Sequence, residues 1–188
     1  MAKIYVFLAD GCEEIEALTP VDILRRAGEE VVTVSVMERK EVTGSHKITI
    51  QADTVIEDGT FTDGSVLVLP GGMPGTLNLG KNEKLKELIL SYHREGKRLA
   101  AICAAPSVLG KLGVLEGRQA VCFPGFEEQL KGASVLQVPA VTDGTITTGR
   151  GMGAAVDFSL ELLTQLQGKE AAEEMAEKII ARQRSARV

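Results

Sequence analysis

Short runs of aliphatic and β-branched residues alternate along this chain with stretches whose apolar positions recur every three or four residues. Residues 3–8 (KIYVFL) predict a buried strand, and Glu13–Ala27 a helix stopped by Gly28. Val31–Val36 predicts a second strand. Residues 41–56 interleave polar and β-forming residues around Gly44, the pattern of a hairpin excursion. Val66–Leu69 is the next buried strand. A helix over Glu83–Arg94 then sets Leu85, Leu88, Ile89 and Tyr92 on one face. Arg98–Ile102 predicts a strand that runs into Cys103 and a helix reaching about Leu112. Ala120–Cys122 and Ser134–Val138 read as further strands, and Val141–Thr148 as a hairpin about Asp143-Gly144. The last forty residues predict two helices broken near Gly168, with Arg184–Val188 a polar, frayed end.

This alternation predicts an α/β fold, a single domain over residues 1–188 with a mostly parallel sheet covered on both faces. Ligands of such sheets bind outside the carboxyl ends of the strands. The loops to inspect are therefore Ala9–Glu14, Pro70–Gly75, Ile102–Pro106, Phe123–Gly125 and Gly149–Gly153, which between them hold Cys12 and Cys103 and flank Cys122.

Composition narrows the function classes. A net charge of −5, with acids dispersed, argues against nucleic-acid or membrane-surface partners, and 4% aromatic content without Trp argues against base stacking. No leader or bilayer-length apolar run is visible, and three cysteines do not make a disulfide framework, so the expectation is a reduced, cytoplasmic protein.

The most informative stretch is Ala100-Ala101-Ile102-Cys103-Ala104-Ala105-Pro106. A strand, a nucleophile with alanines two residues to either side, and a Pro suited to a first helical turn resemble a nucleophile elbow. A thiol near a helix N-terminus is expected to lose its proton more easily. A small buried core Cys is the plain alternative. Leu69-Pro70-Gly71-Gly72 ends a neighbouring strand in two glycines whose amides can form an anion nest, and the Ala104 amide completes the candidate oxyanion set. Glu13, Glu14 and Glu16 open the first helix, where acids ordinarily complement the dipole. Pro20 cannot bond the Glu16 carbonyl and predicts a bend there, but spacing alone does not separate Glu16 from its neighbours.

Cys12 is a candidate resolving thiol. Arg150 is a candidate anion or structural partner, and no metal site is expected, because no Cys-x-x-Cys pair or nearby His accompanies the cysteines. Gly75–Lys81 imitates a P-loop but is followed by Asn82, and Gly149–Gly153 lacks dinucleotide glycine spacing. His93 reads as helix surface and His46 as part of the hairpin. With no His after Cys103, a hydrolase triad in the usual order is excluded.

Taken in order, Leu8–Glu16, Pro20-Val21-Asp22, Arg25–Gly28, Leu69–Gly72, Ala100–Pro106 and Arg150-Gly151 resemble the ThiJ/PfpI superfamily, in particular the Parkinsonism-associated deglycase (DJ-one) subfamily and its bacterial members. The resemblance implies a flavodoxin-like three-layer sandwich, usually a homodimer, with no cofactor. It implies that Cys103 is an oxidation-prone nucleophile, Glu16 its protonated partner, and Gly71 and Gly72 the adjacent amides. It further implies activity on methylglyoxal or glycated adducts, or a redox-protective or chaperone role. Many members carry a His where this chain has Phe123, which leaves Glu16 to act as both acid and base. Ala104 stands where protease-like members have His, so peptidase activity is not expected.

Overall fold

The computed structural model describes residues 1–181, and the expected frayed end at 184–188 lies outside them. The elements in chain order are β1 (Lys3–Leu8), α1 (Glu14–Arg26), β2 (Glu30–Ser35), β3 (Glu41–Thr43), β4 (Thr49–Gln51), β5 (Thr54–Val55), β6 (Val66–Leu69), α2 (Gly75–Lys81), α3 (Glu83–Arg94), β7 (Arg98–Ile102), α4 (Pro106–Lys111), β8 (Gln119–Ala120), β9 (Ser134–Val135), β10 (Ala140–Asp143), β11 (Ile146–Gly149), α5 (Ala155–Gln167) and α6 (Lys169–Lys178).

Seven strands form the central sheet in the order β10-β11-β7-β6-β1-β2-β5. All neighbours are parallel except β10 and β11, which close one edge as the antiparallel hairpin expected around Gly144. Alternation along β1 explains the layers. Ile4, Val6 and Leu8 enter one core with Ala17, Leu24, Phe158 and Leu162 of α1 and α5, while Tyr5 and Phe7 enter the other with Leu79, Leu85, Ile89 and Tyr92 of α2 and α3. A strand buried on both faces needs no polar positions, which is why KIYVFL reads as a continuous apolar run. The result is the expected α/β sandwich of three layers.

Several elements begin where local chemistry directs. Glu13 caps α1 by accepting from the Glu16 amide at 2.8 Å, and Asn82 caps α3 by accepting from the Leu85 amide at 2.9 Å. Gly168, at φ +92°, separates α5 from α6.

Three expectations change. Gly75–Lys81, read only as a failed P-loop, is the helix α2; its buried positions Gly75, Thr76 and Leu79 form no apolar stripe, so periodicity misses it. The strands expected at Ala120–Cys122 and Ser134–Val138 shorten to two residues each and pair in parallel outside the main sheet. Finally, α1 is one residue shorter at each end than expected, with Glu13 and Ala27 as its caps and Pro20 buried within it.

Candidate active site

The chain leaves β1 toward β2 on one side, later returns to β6 on the other, and so reverses direction between β1 and β6. At such a switch point the carboxyl ends of the strands open a crevice. The five inspected loops meet there. The Glu13 amide donates to the Gly71 carbonyl at 3.0 Å, the Cys103 amide to Gly149 at 2.9 Å, and the Phe123 amide to the Cys103 carbonyl at 2.8 Å.

Cys103 follows β7 with φ +67°, a left-handed conformation that costs a non-glycine residue roughly 1–3 kcal/mol. The two backbone bonds just named hold it there, and Ala101 and Ala105, both fully buried, leave room for the tight turn. The elbow expected from the sequence is thus present. Gly71 is required by close approach: a Cβ on it would lie 2.6 Å from both Cys103 Cβ and Glu16 Oε2. Gly72 has φ +85°, and a Cβ there would meet the Glu13 amide at 2.2 Å.

Glu16, 1% exposed, turns from the first turn of α1 toward the thiol. Its carboxyl accepts from the Gly71 amide at 3.0 Å, from the Met152 amide and from Cys103. This refines the expected anion nest. The Gly71 amide is engaged by Glu16, whereas the amides of Gly72 and Ala104 donate to the sulfur.

The electrostatics also differ from those of a thiol loosened by a helix end. Burial, followed by the charge of Glu16 and the bond to it, pushes the Cys103 thiol up to about 12, against the pull of the Gly72 and Ala104 amides. Burial likewise pushes the Glu16 carboxyl up to about 7; the thiol bond pulls it down, the charge of Glu13 pushes it up, and the Gly71 and Met152 amides pull it down. Near neutrality the thiol therefore keeps its proton while the carboxyl gains or loses its own, and the two groups in contact titrate as a pair. Protonation of Glu16 removes its charge from beside the sulfur and turns its oxygen into a donor, so the proton state of each group sets that of the other.

The remaining candidates are placed less centrally. Cys12 is fully buried in the α1–α5 core, with its thiol pushed up to about 12 by burial, which fits packing better than exchange. Cys122 is buried, and burial pushes its thiol up to about 11 while the charge of Arg150 pulls it down. The Arg150 amide donates to Pro139, and its side chain lines a cavity with Phe123. Glu13, Glu14 and His46 bring ligand-type atoms within 4.8 Å of one another. Glu14 is occupied there, accepting from the His46 amide at 2.8 Å and bonding its ring at 3.0 Å. Burial pushes the Glu14 carboxyl up, but the bonds from the His46 ring and from the Glu14, His46 and Ile48 amides together outweigh it and hold it at about 2. The cluster fastens the β3–β4 turn to α1. Sequence reasoning missed the Met152 amide, since a backbone donor has no residue signature, and missed that Glu13 acts on Glu16 both as cap and as charge.

Comparison with known proteins identifies the family and the fold. Residues 2–165 match the model of the DJ-1/PfpI family. Protein DJ-1 homolog B of Arabidopsis thaliana is 37% identical over 182 residues, covering 96% of this chain and 42% of its own length. The chain thus spans less than half of that relative, and likewise 45% of Arabidopsis DJ-1 homolog A. It covers 95% of Drosophila melanogaster dj-1beta at 36% identity, and 99% of a deglycase of Pyrococcus abyssi at 34%. Among solved structures, oxidized DJ-1 of Toxoplasma gondii superposes with a TM-score of 0.92 at 34% identity, covering 96% of this chain and 98% of that one. Close matches to DJ-1 structures also identify the α/β sandwich as flavodoxin-like. Matched by the family model over residues 2–165 and by a relative of which it covers 95%, the chain belongs to the DJ-1/PfpI family.

Proposed function

We propose that this protein is a thiol-dependent enzyme that converts reactive α-oxoaldehydes such as methylglyoxal to 2-hydroxy acids. One observation carries the reading: Glu16, buried and raised to about 7, hydrogen-bonds the sulfur of an elbow cysteine. The thiol hands its proton to Glu16, and the thiolate adds to the aldehyde carbon. The protonated carboxyl returns the proton to the nascent alkoxide, giving a hemithioacetal, while the Gly72 and Ala104 amides face the reacting sulfur. Glu16, now ionised, removes the carbon-bound proton and delivers it to the adjacent carbonyl oxygen to form an enediol. Glu16 then takes the proton from the hydroxyl on the sulfur-bearing carbon and delivers it to the second carbon, so that the enediol becomes a thioester. Water then cleaves the thioester, releasing lactate and restoring the thiol. The net change is addition of one water to methylglyoxal. A carboxyl with a pKa near working pH suits both directions of transfer. The name of the Pyrococcus abyssi relative, a deglycase, supports a carbonyl-derived small-molecule substrate.

A second reading, a redox-sensing or stress-protective role, is favoured by the Gly72 and Ala104 amides, which would receive sulfinate oxygens as readily as a thiolate. Two equivalents of hydrogen peroxide would each transfer one oxygen to Cys103 and leave as water. One paired measurement tests both: methylglyoxal turnover, and intact mass after peroxide, in wild type and Cys103→Ser. Turnover lost in the variant supports the enzyme; turnover retained refutes it. A gain of two oxygens in wild type alone supports the second role.

A homodimer, implied by the family, has a fitting face. Ile15, Leu18 and Ile48 are 48%, 39% and 55% exposed along α1 and the β3–β4 hairpin. Sedimentation of Ile48→Glu tests it, and a dimer that persists at low micromolar concentration argues against this face.

A further inference from the structure

Next to the thiol–carboxyl pair lies an open cavity of about 600 Å³ whose lining includes Phe123, Val138, Arg150 and Met152. Phe123 is 48% exposed, Met152 50% and Val138 38%. Single exposed apolar side chains are ordinary, but three large ones gathered in one depression mark a binding surface. This depression is tied to the reacting groups by the backbone. The Phe123 amide is bonded to the Cys103 carbonyl at 2.8 Å, and the Met152 amide to the Glu16 carboxyl. Gly151 lies between them: a Cβ on it would be 3.3 Å from the Phe123 ring and 4.0 Å from Glu16 Oε1. Phe123 and Met152 thus line this cavity while their amides are bonded to the Cys103 carbonyl and the Glu16 carboxyl. The methyl of methylglyoxal would leave most of that cavity to water.

Building on the reaction proposed above, we propose that this cavity is the side-group subsite and that Phe123 and Met152 determine specificity, favouring α-oxoaldehydes with an aromatic or branched apolar group. The ring of such a substrate would lie against Phe123, while its two oxygens stay with the thiol, the amides and Glu16. The chemistry is unchanged, so phenylglyoxal plus water gives mandelate.

The test compares kcat/KM for methylglyoxal, isopropylglyoxal and phenylglyoxal on the full wild-type chain. The expected order rises along the series, with phenylglyoxal at least about tenfold above methylglyoxal, the scale on which an apolar pocket discriminates. In Phe123→Ala and Met152→Ala the phenyl-to-methyl ratio falls by about fivefold or more, chiefly through KM for phenylglyoxal, and Phe123→Leu restores part of it. Both side chains are half exposed, so the variants leave the core intact. Turnover of methylglyoxal with no preference for the larger substrates overturns the subsite and leaves the reaction standing. So does a ratio that survives in the Phe123→Ala/Met152→Ala double variant. Turnover of none of the three overturns both.

Discussion

Gly71→Ala isolates the geometry on which the site depends. The new methyl would sit 2.6 Å from Cys103 Cβ, 2.6 Å from Glu16 Oε2 and 2.9 Å from the Ile102 carbonyl. Two of these neighbours cannot yield: Cys103 is fixed at φ +67° by bonds on both sides, and Ile102 is the last residue of a central strand. The carboxyl must move. Overpacking of this kind costs roughly 1–3 kcal/mol, and losing the bond from the Gly71 amide to a charged group about 1.5–3 kcal/mol. Together they amount to about 2.5–6 kcal/mol, or a fall in Tm of roughly 5–24 °C for a chain of this size. Thermal unfolding followed by far-ultraviolet circular dichroism at pH 8, where Glu16 is ionised, reads the loss directly. The pH profile of Cys103 alkylation reads the displaced carboxyl, because removing its charge from the sulfur shifts the profile to lower pH. Gly153→Ala is the control, since a Cβ there meets nothing within 4 Å, and its Tm should stay within about 1 °C of wild type. If Gly71→Ala keeps a Tm within about 2 °C of wild type and an unchanged alkylation profile, the close approach of strand end, thiol and carboxyl is refuted.

Two further outcomes follow from the same contacts. Glu16 titrates at about 7 in the fold against an ordinary carboxylate value of 4.5, so the folded state holds the extra proton between those pH values. Its contribution to stability is full below 4.5 and is lost as pH rises to about 7, a decline of roughly 3 kcal/mol. Glu16→Gln should flatten this decline in denaturant titrations between pH 4.5 and 8; an unaltered slope would contradict the raised carboxyl. The Tyr92 hydroxyl donates to the Phe61 carbonyl at 2.6 Å in the core. Tyr92→Phe leaves that carbonyl unpaired and should lower Tm by roughly 2–8 °C, with no effect on Cys103 alkylation.

What could be read from residue order was whatever is decided locally. Cys103 stands out because the strand, the flanking alanines and Pro106 lie within seven consecutive residues. The strands of the central sheet are legible because burial on both faces removes polar positions from them. Glu16 is different. Glu13 turns back to cap its own helix, Glu14 reaches across to His46, and only Glu16 faces the thiol, a distinction that arises from the β3–β4 hairpin and the turn after β6. Only the family resemblance singled it out. The direction of the Gly71 amide, toward the carboxyl and not the sulfur, is equally invisible before the loops are packed. The helix α2 escaped because helicity there is imposed by packing, on a segment whose glycines argue against it.

The bonds that clamp the elbow also order events in time. Cys103 is pinned by Gly149, which lies 46 positions later in the chain, and by Phe123. A polypeptide emerging from the ribosome therefore carries an ordinary, unstrained cysteine until the β10–β11 hairpin has been made and docked beside β7. The nascent thiol is thus spared the neighbours that set its chemistry, and acquires them only as the sheet is closed at that edge.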